Sequence, residues 1–383
     1  MQFDWNHLFP PGEPVIALPN WQHPRLLLSA RRYDQRWRDS GFYLAFRIRA
    51  KLYKQLLRLR AATKTTAVRY AQGDTWVLGE FLDGVVDSPH PPTVWIGTNG
   101  ASQKWTVRVR GGDGEPVAFV KWGFTESACR RIVAEHGILC ALPRGLGPHP
   151  LRVGPLAGGT ALAMSSINGP LLGRFTRGIC ARLADFLEIL AVQTPLPIDE
   201  HPGFAALASD APTPISAWIE QLADESWPVV IHHGDFAPWN VIDVSKDTID
   251  WGGCLAAIDW ESAAMNGVPF LDAAHYHLQI AGLLMKLGPA SATSLAVERL
   301  MRRPWPALSQ VHAAAFTALS AYAAWRRSLD EGGNADEPQQ RWHRTIWDRS
   351  PLAGRTTLTN MGILPRFPAL VSVGVDPTIE PRA

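Results

Sequence analysis

The stretch His233-Gly234-Asp235-Phe236-Ala237-Pro238-Trp239-Asn240 holds the densest chemistry in the chain, and Ala257-Ile258-Asp259-Trp260-Glu261 follows it. Residues 229–259 read as short strands, so a hairpin returns Asp259 alongside the loop that carries Asp235 and Asn240, five positions apart. Together these three side chains supply a carboxylate for a reacting hydroxyl and two oxygen ligands for a hard cation. Transfer of a phosphoryl group needs that minimum. Taken alone, Asp235 is equally an ordinary turn residue near a proline, so the reading depends on what stands elsewhere.

Upstream, Ser88-Pro89-His90-Pro91-Pro92 marks a boundary. After it, Val94-Trp95-Ile96, Trp105–Val109 and Val117–Lys121 read as three strands of an antiparallel meander, the last two joined through Gly111-Gly112-Asp113-Gly114. Thr125 is a plausible N-cap for a helix with Ile132, Ile138 and Leu139 on one side. Runs 151–156 and 160–167, parted by Ala157-Gly158-Gly159, make a further hairpin. Lys121 ends the third strand, and Glu135 lies fourteen residues later on the helix. After Asn168-Gly169-Pro170 the texture turns helical, over 171–193, 215–223, 272–286, 292–301 and 305–329, with a proline-rich tail beyond Asp330.

Lys121, Glu135, Asp235, Asn240 and Asp259 fall in the order of a kinase-type site, with H-x-D-x-x-x-x-N at the loop. The segment resembles the catalytic loop and metal-binding strand of the aminoglycoside phosphotransferase and choline kinase family, relatives of protein kinases that phosphorylate small-molecule hydroxyls. The resemblance covers residues 90–330. It implies an α+β, bilobal, protein-kinase-like fold. A small antiparallel-sheet N-lobe would span 89–167 and a larger, mainly helical C-lobe 168–383, with residues 1–88 as an N-terminal extension that has no counterpart.

The resemblance also implies roles. Asp235 orients the acceptor hydroxyl and accepts its proton, Asn240 and Asp259 hold Mg²⁺, and Lys121, fixed by Glu135, steadies ATP. Ser102 belongs to the phosphate-covering loop 98–103, which departs from the protein-kinase pattern by lacking G-x-G-x-x-G. Ser166 and Ile167 fall at the interlobe hinge 164–169, where adenine would pair. His233 orders the catalytic loop and Asp272 braces it. Glu261 either assists the metal or bonds the loop backbone. The expected activity is transfer of the γ-phosphoryl group of ATP to a small-molecule hydroxyl, with a sugar, amino sugar or glycan precursor as the leading acceptor. The competing reading is a kinase-fold module without turnover that docks a partner or membrane surface through residues 1–88.

Composition sets the outer bounds. Across 383 residues, 46% are apolar and 19% charged, which excludes a disordered chain. A net charge of +2 gives no global field for nucleic acid. Four cysteines without a C-x-x-C pair signal neither zinc nor a disulfide scaffold. The start lacks a signal peptide and no long uncharged apolar run occurs, so the expected location is the cytoplasm.

Charge is uneven. Residues 25–69 carry 13 Lys/Arg against Asp34 and Asp39, which leaves 24 basic and 33 acidic residues elsewhere, a balance of −9. Residues 42–60 read as a helix with Phe42, Phe46, Tyr53, Leu56 and Leu57 on a broad apolar face and Arg47, Lys51, Lys54 and Arg58 on a narrow basic one. The plain reading buries the apolar face and leaves the basic stripe in water. The sharper reading lays the helix on an anionic membrane or partner surface, at the inner face of the membrane. Of sixteen tryptophans, most are expected in the core, and Trp239, Trp251 and Trp260 flank the catalytic segment. The acidic balance outside the basic stretch would suit a cationic acceptor.

Overall fold

The computed structural model describes residues 4–42, 48–63, 67–87, 89–97, 100, 103–172, 179–244, 255–302 and 308–349. From the extension come β1 (Pro14–Leu18), β2 (Leu26–Ser29), α1 (Tyr33–Asp39), α2 (Ile48–Thr63), β3 (Val68–Tyr70) and α3 (Val77–Leu82). The meander and second hairpin form β4 (Thr93–Ile96), β5 (Lys104–Arg110), β6 (Pro116–Gly123), β7 (Pro150–Leu156) and β8 (Gly159–Ser165), with α4 (Glu126–Ala141) after β6. Thr125 caps α4, its side chain accepting from the backbone N–H of Ala128. All eight strands join one antiparallel sheet in the order β3-β1-β2-β4-β5-β6-β8-β7. The extension therefore continues the N-lobe sheet, with Leu26 and Leu27 of β2 paired to Trp95 and Val94 of β4.

Period-two alternation decides what each strand offers. On β6, Ala118, Val120 and Trp122 enter the N-lobe core with Trp105, Val107 and Val109 of β5. Phe119 and Lys121 consequently face the other way, into the cleft, and Lys121 lies opposite Thr106 and Leu162 in register. Lys121 sits inside this strand, which runs on to Gly123, two residues past the end expected from sequence.

The extension is fastened by charge as well as by pairing. Asp39, buried at the end of α1, accepts from Arg108 (2.8 Å) and from Arg110 (2.6 and 3.1 Å) on β5. Helix α2 corrects the expected faces. Leu57 is buried, but Leu52, Leu56 and Leu59 are exposed along with Lys51. Lys54 and Arg58 are half-buried, Arg58 lying over the Trp37 ring at 5.6 Å. The helix therefore shows water a leucine row, and two of its expected basic-face residues turn inward. The packing partner, which hydrophobic periodicity does not name, chose the face. Phe46 and Arg47 lie outside the described residues.

The C-lobe is built from α5 (Ile179–Ile189), α6 (Pro202–Ala208), α7 (Thr213–Glu220), β9 (Val230–His232), β10 (Val241–Asp243), β11 (Leu255–Ala257), β12 (Ala264–Gly267), α8 (Leu271–Gln279), α9 (Pro289–Met301), α10 (Gln310–Asp330) and α11 (Pro338–Trp347). β10 pairs with β11, as the hairpin reading requires, and β9 pairs with β12. The tail expected beyond Asp330 contains α11, whose Ile346 and Trp347 pack with Trp218, Phe316 and Tyr322 in the helical core. A second core joins the lobes, bringing Ile132 of α4 and Leu162 of β8 together with Phe186, Phe236, Trp260 and Tyr276. Trp122, Trp227 and Trp260 are fully buried, in keeping with a structural use of tryptophan. Among the described residues no helix is long and apolar enough to cross a membrane.

Candidate active site

The loop 233–240 is held from behind by one carboxylate. Asp272, near the start of α8, accepts from the backbone N–H of His233 at 2.7 Å and of Gly234 at 3.0 Å, and lies 3.1 Å from the His232 ring. Burial would raise its pKa, but His232 and His233 outweigh that and hold it at about 2. Gly234 is needed where it stands. Its φ is +84°, and a Cβ would lie 2.3 Å from the carbonyl oxygen of Ser262. The next residues anchor the loop in the interlobe core, where Phe236 stacks on Phe186 with centroids 5.3 Å apart.

His233 is a strut. Its Nδ1 accepts from the Asp235 backbone N–H (3.2 Å), so Nε2–H is left to donate to the carbonyl of Ile258 (3.0 Å). Both ring nitrogens are thereby committed in the neutral tautomer, and burial lowers the pKa in the same sense. This bond ties the loop to the segment after β11. There Ile258 N–H also donates to the carbonyl of Asn240 at 2.8 Å, and Asp259 follows in a left-handed conformation (φ 70°).

The expected convergence occurs. Lys121 Nζ lies 2.6 and 2.8 Å from the two Glu135 oxygens and 2.5 Å from Asp259 Oδ1, so residues of β6, α4 and the β11 hairpin meet at one ammonium. Burial works against that charge, but Asp259 and Glu135 prevail and raise the Lys121 pKa. In return, Lys121 and Lys104 overcome the opposing effect of burial on Asp259 and hold its carboxyl at about 2. Glu135 is also bonded by the backbone N–H of Trp260 at 3.0 Å. Asn240 Nδ2 donates to the backbone oxygen (2.9 Å) and Oδ2 (3.1 Å) of Asp235, which leaves the Asn240 oxygen as its ligating atom. Glu261 makes an ion pair with Lys104. Burial and the neighbouring Lys121 push Lys104 down to about 8.

These donors fit a magnesium ion. The Asn240 amide oxygen and the Asp259 carboxylate are hard ligands, and Glu135, Asp259 and Glu261 offer oxygens within 4.8 Å of one another. Beside them opens a cavity of about 320 Å³, lined by Phe42, Phe119, Ile167, Trp239 and Ile242 and reaching Lys121, Asn240 and Asp259. Ile167 of the expected hinge faces this slot. Ser166 is tied to β6 through its N–H (to Val117 O, 3.0 Å) and its hydroxyl (to Pro116 O, 2.8 Å). Ser102 lies outside the described residues.

Three participants had no sequence signal that pointed here. Phe42 reaches the slot from the extension, edge-on to Trp95 and tilted against Phe119 (6.0 Å to each) under the Arg108 guanidinium at 4.7 Å. His275 Nε2 and Arg327 Nη2 lie 3.2 and 3.4 Å from Asp235 Oδ1. Burial would raise the Asp235 pKa, and His275 and Arg327 together lower it. A search for carboxylate-flanking bases by local spacing does not find either, because they arrive from α8 and α10.

Two lobes, a cleft lysine bridged to a helical glutamate, and an Asp/Asn loop opposite a metal-type aspartate define a bilobal α+β, protein-kinase-like architecture. No family model matches the chain, and no curated protein does. Among solved structures it is similar to an ethanolamine kinase of Plasmodium vivax, at 14% identity over 83% of this chain and 93% of that one, with a TM-score of 0.43. An aminoglycoside phosphotransferase of Streptomyces rimosus, in complex with ADP and streptomycin, is 16% identical over 58% of this chain and 90% of its own, with a TM-score of 0.36. The PknI kinase domain of Mycobacterium tuberculosis is 15% identical over 61% and 95%, with a TM-score of 0.26. At such scores the function has to be read from the side chains themselves.

Proposed function

We propose that this protein transfers the γ-phosphoryl group of ATP to a hydroxyl of a small molecule, in a magnesium-dependent reaction. The observation that carries this is the single ammonium of Lys121 shared between Glu135 and Asp259, with the Asp235–Asn240 pair across the cleft. A buried lysine clamped by two acids is pre-charged for phosphate, and a triphosphate that takes it from Asp259 frees that carboxylate for the cation. Magnesium held by Asn240 and Asp259 would neutralise charge on the phosphate oxygens.

The acceptor oxygen attacks the γ-phosphorus, the bond to the β–γ bridging oxygen breaks, and the hydroxyl proton passes to Asp235. Held ionised by His275 and Arg327, Asp235 is ready for that proton at neutral pH. The slot beneath Phe42, Phe119 and Trp239 suits a planar base, and its apolar walls exclude water from that end. A sugar-type hydroxyl compound is the acceptor frame we favour from the sequence reading.

The test is acceptor-dependent ADP release. Asp235→Ala is expected to lower turnover on the order of 10²–10⁴-fold while nucleotide still binds. Unchanged turnover in that variant would remove Asp235 from the reaction.

A further inference from the structure

We propose that the acceptor carries an anionic group, a carboxylate or phosphate close to its reacting hydroxyl, and that Arg327 is the residue that binds it. This rests on the phosphotransferase reading and narrows its substrate class.

The side chains that meet Asp235 on its helical-lobe side are basic. Arg327, in the last turn of α10, places Nη2 3.4 Å from Asp235 Oδ1, a long contact for a charge-assisted bond. A guanidinium has five N–H donors, so this one contact leaves most of the fork for a ligand, and its side chain is 26% exposed. Buried His275 presents Nε2 to the same carboxylate oxygen at 3.2 Å, with the Gln279 amide 3.2 Å from that ring nitrogen. Behind them His343 of α11 is buried, and its Nδ1 has no hydrogen-bond partner. Burial, then the nearby charges of His275 and Arg327, push its pKa down to about 3.

A cationic acceptor would need a free carboxylate here, and several of the acids around the cleft are paired with cations. Glu331, one turn beyond Arg327, pairs with Arg131 at 2.9 Å, Glu261 pairs with Lys104, and Asp259 and Glu135 hold Lys121. Once a hydroxyl engages Asp235, Arg327 is, among the described residues, a cation left facing the remainder of the acceptor. The acidic balance outside residues 25–69 therefore misleads about the site, where the local field beside Asp235 is positive.

The experiment compares acceptors on matched frames with ATP and Mg²⁺. Glucuronate and glucose 6-phosphate stand against glucose and glucosamine, and glycerate and glycerol 3-phosphate stand against glycerol and ethanolamine. Acid-bearing acceptors are expected to exceed their neutral and cationic counterparts at least 10-fold in kcat/KM, and the carboxylate and phosphate arms decide which anion is preferred. Arg327→Gln is expected to erase that preference by raising KM for the acid while leaving KM for ATP unchanged, with partial recovery in Arg327→Lys. A preference for neutral or cationic acceptors, or an Arg327→Gln variant that keeps the acid preference, overturns the inference.

If none of the eight turns over, their binding to the Mg–ADP complex is measured by calorimetry. Selective binding of the acids, lost in Arg327→Gln, supports the inference, and equal or absent binding of the acids overturns it. Failure of the phosphotransferase reading would appear separately, as no magnesium-dependent binding of nucleotide at all.

Discussion

Asp272 shows how one side chain fixes the geometry of a loop whose other groups are proposed to do the chemistry. Its two oxygens take the backbone N–H groups of His233 and Gly234, so the loop bearing Asp235 is held in place by a group outside the cleft. The folded-state pKa of about 2 lies below the ordinary 3.8. A depressed carboxyl contributes stability above its unfolded value and loses it as pH falls through the folded one. The window is therefore from about pH 4 down to about pH 2, and the contribution at neutral pH is about 2 kcal/mol. Asp272→Asn is expected to melt lower at pH 7 by an amount of that order and to show a flatter acid limb. Parallel acid limbs for the two proteins in pH-dependent melting would contradict the assignment.

Asp272 was legible only through the family resemblance of the segment Gly267–Asp272, whereas Lys121, Glu135, Asp235, Asn240 and Asp259 also stand in the order and spacing of a kinase-type site. Asp235, Asn240 and Asp259 sit on short segments beside strands, where local pattern and chemistry coincide, while Lys121 lies within β6 and Glu135 within α4. Arg327 and His275 were not legible. They reach Asp235 from helices 92 and 40 residues away in the chain, and no local spacing encodes a helix crossing.

Among the elements, α1 and β5 are joined by a charge cluster that sequence separation conceals. Asp39 is almost wholly buried and accepts hydrogen bonds from both Arg108 and Arg110 from a distance of about 70 residues. Removing one partner of a buried ion cluster strands the others without water, at a cost of about 3–5 kcal/mol. Asp39→Ala is expected to lose stability in that range by urea denaturation, and a loss below about 1 kcal/mol would show the arginines to be rehydrated. Because Arg108 also lies over the Phe42 ring, the same variant should loosen the roof of the proposed nucleotide slot. The strands β5 and β6 themselves were legible, and their alternation in the structure turns Phe119 and Lys121 to the cleft. For α2 the sequence pattern was true to the helix but not to its facing, since Leu56 and Lys54 exchange the environments expected of them.

At the scale of the molecule, the eight-stranded sheet and the helical lobe are welded by the core that runs from Ile132 and Leu162 to Phe236 and Trp260. The proposed reacting groups are distributed across that weld, with Lys121 and Glu135 on one side and Asp235, Asn240 and Asp259 on the other. A cleft assembled from two lobes in this way works only if nucleotide and metal are gripped together. Calorimetric titration of ATP, with and without Mg²⁺, into the wild-type protein and Asp259→Ala tests this directly. Wild type is expected to bind in a magnesium-dependent manner, and Asp259→Ala to lose the magnesium-dependent part of the affinity while remaining folded. Equal affinity in the two proteins with magnesium present, or wild-type binding indifferent to the metal, would contradict the account.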